Sequence, residues 1–181
     1  LARRTSGGGA VYQDLGNLNV TFIAGDGFFD IGKQTEVILL ACKLLGIKAE
    51  FSGINNLTVE GRKFSEHAYF SSESHNYHHG TIMVDVKFKD MSKYLQVSEP
   101  DLESEEAGSA KPQPVNLKEY LPRMSREKAI SRVSESLIRA FEKVYGAEAE
   151  EVALPEVPKK IIDKYTSEEW RLGKQKPFDK E

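Results

Sequence analysis

Apolar and polar positions along the chain change period several times, and each change marks an element. Leu18, Val20 and Phe22 alternate with Asn19, Thr21 and Ile23, a period-two pattern rich in β-branched residues that predicts a strand after a glycine-rich loop. Over residues 33–45 the period lengthens: Val37, Leu40, Ala41, Leu44 and Leu45 share one face of a helix that Gly46 stops. Short strands follow around 49–51 and 57–59, with a turn at Glu60-Gly61 and a return through Phe64. Residues 81–88 alternate again, placing Ile82, Val84, Val86 and Phe88 on one side of a further strand. Hairpins around an intervening helix predict an α+β fold, with mixed sheets and flanking helices, rather than regular βαβ repeats.

Residues 98–115 break this rhythm with Ser, Glu, Gly, Pro and Ala and almost no apolar anchors, which predicts a long mobile loop. Ser125 then offers an N-cap to a helix whose apolar face carries Ile130, Val133, Leu137, Phe141 and Val144 up to Gly146. Pro155 and Pro158 punctuate a linker, and a short helix over 159–165 precedes a tail that runs Trp170-Arg171-Leu172-Gly173-Lys174.

The chain has 181 residues, 39% hydrophobic and 29% charged, which fits one globular domain and excludes a disordered or fibrous chain. The longest apolar run, 37–42, ends at Lys43, far short of the ~20 residues of a membrane span. A net charge of −3 gives no basic footprint for nucleic acid. The single cysteine, Cys42, excludes a disulfide framework and a multi-cysteine zinc site, and suits a reducing cytoplasm. The chain opens on Leu1 with an informative motif almost at once, so a preceding segment is expected.

Four segments are candidates for chemistry. In Arg3-Arg4-Thr5-Ser6-Gly7-Gly8-Gly9-Ala10-Val11-Tyr12, consecutive glycines let the backbone approach an anion, and two arginines add fork-shaped donors. A glycine-rich hairpin turn with surface arginines is the alternative. The run matches neither a Walker loop nor a dinucleotide fingerprint. His75, His78 and His79 crowd five positions, but neighbouring side chains in a strand face opposite ways, so a packing role is preferred to a metal site. Cys42 falls on an apolar helix face, where a buried inert thiol is the default. The acidic run 99–106 reads as a solvated loop, with a docking surface as the alternative.

Residues 3–22 closely resemble the RRxSGGGAVYHDLGNLN signature of lipoate–protein ligases and lipoyltransferases. The likeness continues through 53–65 (GRNDLxVxGxKxSG), His78-His79-Gly80-Thr81 (HHGT), Val115-Asn116-Leu117, and Glu169-Trp170 with Gly173-Lys174 (WEW–GK). The resemblance implies a catalytic domain of the biotin/lipoyl ligase superfamily spanning residues 1–181, without its N-terminal part and without a C-terminal accessory domain. It implies activation of lipoate by ATP and Mg2+ as lipoyl-adenylate. The acyl group then passes to a lysine of a lipoyl domain, on a 2-oxoacid dehydrogenase E2 subunit or the glycine cleavage H protein. Position by position, Arg4, Gly9, Ala10, Val11 and Tyr12 would meet the nucleotide. Arg3, Ser6, Gly7, Gly8 and His79 would shape the lipoate end, while Asp14 and Asn17 hold the loop.

The chain departs from the pattern at defined places. Counting back from Asn116-Leu117, the family's essential lysine falls on Glu105, and Lys111 is the nearest substitute. YHD reads Tyr12-Gln13-Asp14, the aspartate of GRND is Asn56, and SGxA is Ser65-Glu66-His67-Ala68. A reversed charge at ~4 Å is worth about 4 kcal/mol at an effective dielectric near 20, which disfavours adenylation more than transfer. Three readings follow: a working enzyme, either a full ligase or a transferase using preformed lipoyl donors; a specialised paralogue with a changed acyl substrate or acceptor protein; and a non-catalytic member that binds a lipoyl domain or nucleotide without turnover.

Overall fold

The alternation around Leu18 forms β1 (Asn17–Ala24), and the helical pattern after it forms α1 (Ile31–Leu44), N-capped where the Asp30 side chain accepts from the Lys33 N–H. A meander follows through β2 (Ala49–Ser52), β3 (Asn56–Val59), β4 (Arg62–Ser71) and β5 (Asn76–Met83), and then α2 (Phe88–Tyr94). A 3-10 turn (Leu117–Tyr120) leads to α3 (Arg126–Tyr145), then α4 (Lys159–Thr166) and α5 (Glu168–Leu172). The computed structural model describes residues 1–25, 27–53, 55–72, 75–95 and 113–173. These divide into a larger unit, Gly8–Ala149, and a smaller one made of Leu1–Gly7 with Glu150–Glu181.

The class is α+β, as the pattern predicts. In the larger unit the five strands form one antiparallel sheet in the order β1-β5-β4-β3-β2. Glu60 and Gly61, both with positive φ, form the two-residue turn between β3 and β4, matching the right-handed twist of the paired strands. One face of the sheet carries Leu57, Phe64 and Ile82 into a core shared with Val37, Ile38 and Ala41 of α1 and Ala129, Val133 and Ala140 of α3. Phe64 is fully buried, a gain of roughly 2–3 kcal/mol for that side chain alone. Between the helices, the Ser136 hydroxyl donates to the Ala41 carbonyl at 2.8 Å. Ser125 caps α3 as expected, and Gly146 ends it in the left-handed conformation.

Three expectations are corrected. The strand expected over 81–88 lies at Asn76–Met83, so His78 and His79 sit within it rather than before it. Val84 and Val86 do fill the core, but there the chain has left the ladder. The Val84 and Asp85 amides donate to the Gly16 carbonyl, and Asn116 grips both backbone groups of Val86. The tail after Ser167 begins as a helix, because the Ser167 hydroxyl caps the Trp170 N–H. Finally, the segment expected to be loose ends before Val115, which is fully buried and donates to the Lys63 carbonyl. Residues 98–112, with the acidic run, lie outside the described residues.

Gly16 marks the tightest packing of backbone against backbone. A Cβ there would lie 2.0 Å from the Asp85 carbonyl oxygen and 2.6 Å from the Val86 nitrogen. Gly16→Ala is expected to cost at least about 2 kcal/mol in urea unfolding, the scale of overpacking against atoms that cannot rotate away. At Gly7 a Cβ would meet nothing within 4 Å among the described residues, and Gly7→Ala should stay within about 0.5 kcal/mol of wild type. Equal effects would show that the Gly16 junction is not rigid.

Candidate functional site

The glycine-rich run is divided between the two units. In the smaller unit, Arg4 donates through Nε and Nη2 to the Gly7 carbonyl at 3.2 and 2.9 Å, a closed loop that also contains Ser6. The Arg3 carbonyl accepts from Trp170 Nε1 at 3.0 Å, across 167 positions of sequence. The Arg3 guanidinium lies against Gly173, where a Cβ would be 3.0 Å from Nη2 and where φ is positive. Trp170 is itself set by the Ser167 cap and by an edge-on contact with Tyr165. The first and last motifs of the resemblance are thus neighbours.

In the larger unit, Gly8 has φ +103, which favours glycine, and no atom among the described residues comes within 4 Å of a Cβ at Gly9. Ala10 and Val11 are exposed, and Tyr12 stacks on Tyr94 at 6.0 Å. Asp14 and Asn17 hold the loop as expected. One Asp14 oxygen accepts from the Gly16 amide and the other from the Lys87 amide, while Asn17 accepts from the Asp14 amide. Just before them Gln13 reaches the sheet, donating from Nε2 to Thr81 Oγ1 at 2.7 Å. Thr81 in turn donates to Asn19 Oδ1 at 2.9 Å.

Thr81 belongs to a row that crosses the whole sheet. Ser52 pairs with Asn56, Asn56 with Glu66, Glu66 with Thr81, and Thr81 with Asn19, one residue from each strand. Directly paired residues share a face, so five polar side chains line the side of the sheet turned away from α1 and α3. The next row on that face holds Thr21, His79 and Ala68, and the one after it Ile23, Tyr77 and Phe70. Phe70 and Tyr77 stack at 4.9 Å, and Tyr77 lies 5.7 Å from His79. The face therefore grades from hydrogen-bonding groups to aromatic ones with His79 between. Sequence reasoning named His79 but missed Asn19, Ser52, Thr81 and the aromatic pair. The alternation in β1 was the signal for Asn19, and that over 81–88 for Thr81.

His78 points the other way, as expected for adjacent strand residues. Fully buried, its Nδ1 lies 3.1 Å from Gln34 Oε1 on α1 and its Nε2 2.7 Å from His67 Nδ1; His67 Nε2 meets the Ser65 hydroxyl at 3.0 Å. With the Gln34 oxygen accepting, the protons run one way: Ser65 donates to His67, His67 to His78, and His78 to Gln34. Gly80 makes room for this chain, since a Cβ there would stand 2.5 Å from the His67 ring. Burial foremost, then the neighbouring imidazoles, pushes His67 down to about 4 and His78 to about 3. Cys42 is the inert thiol expected, its pKa pushed up to about 12 by burial. Glu105 and Lys111 lie outside the described residues.

A family model described as the lipoyl protein ligase A/B catalytic domain matches residues 1–142. Among solved structures, the chain is similar to an archaeal bi-partite lipoate protein ligase from Thermoplasma acidophilum, studied with its E2 lipoyl domain. That match has a TM-score of 0.77 at 24% identity, covering 96% of this chain and 70% of that one. It is also similar to a lipoate-protein ligase A bound with ATP, with a TM-score of 0.78 at 23% identity over 96% and 72% of the two chains. A third match is LipL1 of P. falciparum in complex with lipoate, with a TM-score of 0.77 at 26% identity over 99% and 53%.

The buried imidazoles make stability depend on pH in one direction. Their folded pKa values lie below the ordinary 6.5, so the unfolded chain binds more protons between about 4 and 6.5. Stability is full above pH 6.5 and falls as pH drops from there towards 4. Urea unfolding at pH 5 should show about 4 kcal/mol less stability than at pH 7.5, about 2 from each imidazole. Removal of at least half of that difference by His67→Ala would tie it to the pair, and no difference in wild type would contradict the buried neutral chain.

Proposed function

The chain belongs to the lipoyl protein ligase A/B catalytic-domain family, and from that premise we propose that it attaches lipoate to a lysine of a lipoyl domain, with ATP and lipoyl-adenylate as the route. The observation that carries this reading is the graded sheet face joined by Gln13 to the glycine-rich loop. An acyl-adenylate has an apolar tail, a reactive carbonyl and a charged phosphate in that order. The aromatic row, His79 and, through Gln13, the glycine-rich loop follow the same order. The similar structures with ATP and with lipoate support the two ligands, and the archaeal ligase with its E2 lipoyl domain supports the class of acceptor.

In this reading Arg4, Gly9, Ala10, Val11 and Tyr12 serve the nucleotide, and Arg3, Ser6, Gly7, Gly8 and His79 serve the acyl end. The loop amides and guanidinium forks stabilise charge developing on the α-phosphate with donors already in place. Mg2+ enters as the counter-ion of the ATP phosphates; among the described residues no three His, Cys, Asp or Glu side chains gather to hold a metal. The acceptor is an E2 subunit or a glycine cleavage H protein, and the setting is cytoplasmic. No helix among the described residues is long and apolar enough to cross a membrane.

Glu105, where the family carries its lysine, favours a second reading. There the chain transfers the lipoyl group from a preformed donor, and Lys111 stands in weakly or not at all for adenylation. Incubation with an apo-lipoyl domain, followed by intact mass, separates the two. Modification from lipoate, ATP and Mg2+ that Lys111→Ala abolishes would establish the ligase. Modification from lipoyl-adenylate alone, with adenylation gained in Glu105→Lys, would establish the transferase. Modification from neither donor would contradict both.

A further inference from the structure

Three of the chain's departures from the family pattern, far apart in sequence, meet on the open sheet face. Gln13 stands for the histidine of YHD, Asn56 for the aspartate of GRND and Glu66 for the glycine of SGxA. Gln13 binds Thr81, Thr81 pairs with Glu66, and Glu66 pairs with Asn56. The carboxylate absent from position 56 on β3 therefore reappears on the adjacent strand β4, directly across the ladder and about 5 Å away. Within the row of Ser52, Asn56, Glu66, Thr81 and Asn19, Glu66 is the only ionised side chain.

A second observation shows what such a carboxylate takes. Lys63 places its Nζ 2.9 Å from Glu66 Oε2, with both side chains 40–49% exposed. An exposed pair of this kind contributes little to stability and exchanges readily. Glu66 thus already holds a primary ammonium in a geometry that an incoming lysine can adopt.

We propose that Glu66 receives the ε-ammonium of the acceptor lysine and acts as its base in acyl transfer, a role that rests on the acyl-transfer reading above. The Glu66 carboxylate takes one proton from the ammonium. The freed amine nitrogen attacks the acyl carbonyl carbon, forming the C–N bond. The C–O bond to the adenylate phosphate breaks, and its electron pair leaves on AMP. The second proton on nitrogen passes to solvent, and Glu66 then returns its own proton to solvent.

The test is single-turnover transfer from preformed lipoyl-adenylate to two nucleophiles, an apo-lipoyl domain and hydroxylamine, which is neutral near pH 7.5 and needs no base. Glu66→Gln should slow transfer to the lipoyl domain at least ~10-fold and leave hydroxamate formation within about two-fold of wild type, with Glu66→Asp recovering part of the loss. Equal loss with both nucleophiles would assign Glu66 a structural role and overturn the proposal, as would transfer to lysine at the wild-type rate. A defect confined to ATP-dependent pyrophosphate release would place the carboxylate on the nucleotide side and overturn it too. Wild-type protein that transfers to neither nucleophile would overturn the acyl-transfer reading, and this inference with it.

Discussion

The meeting of Gly16 with the end of β5 sets the geometry of everything on the open face of the sheet. The Gly16 carbonyl accepts from two successive amides, Val84 and Asp85, and Asp14 accepts from the amides of Gly16 and Lys87. No side chain fits at Gly16, so backbone lies against backbone at a fixed distance. The chain entering β1 is thereby placed at one register against β5, Asn17 opposite Met83. A slip of one residue would turn every β1 side chain to the other face. With the register fixed, Asn19 falls opposite Thr81 and Thr21 opposite His79. Gln13, just before the junction, then reaches Thr81.

The same sheet divides its histidines by strand parity. His79 is turned to the open face, while His78 enters a buried line of hydrogen bonds from Ser65 through His67 to Gln34. Buried polar groups cost stability unless each is paired, and here every ring nitrogen of the two buried histidines has a partner. The one-way run of donors fixes each tautomer and ties β4 and β5 to α1 without a charge in the core. Gly80 is the steric condition for it, because the His67 ring occupies the space a Cβ would take. Side chains on one face of the sheet thus hold the strands, which leaves the other face open.

Much of this was legible in the residues. The Ser125 cap, the apolar stripe of α3 and Gly146 are local signals, and local hydrogen bonds decide them. The turn at Glu60-Gly61 announced itself through Gly61 between two apolar runs, while the positive φ of Glu60 has no signal in its residue type. The start of β5 was hidden because Asn76 to Gly80 carry no apolar alternation; their inward positions are filled by an asparagine, a histidine and a glycine that only the fold explains. The strand seemed to continue past Met83 because Val84 and Val86 remain buried after the ladder ends. The glycine-rich loop was readable as a motif. The polar row was not, since it depends on four strand registers, one of them shifted by an irregularity between Leu57 and Thr58. The contact of Trp170 with Arg3 joins the two ends of the sequence, beyond any local pattern.

The central claim is that the open face of the sheet, with the loop before β1, is where the acyl-adenylate binds. Hydrogen exchange with and without a non-hydrolysable lipoyl-adenylate analogue tests it directly. The account predicts added protection over residues 8–13 and in the β4 and β5 segments that carry Glu66 and His79, with α1 and α3 unchanged. Saturable binding that protects the helices instead, or leaves residues 8–13 unaltered, would contradict it.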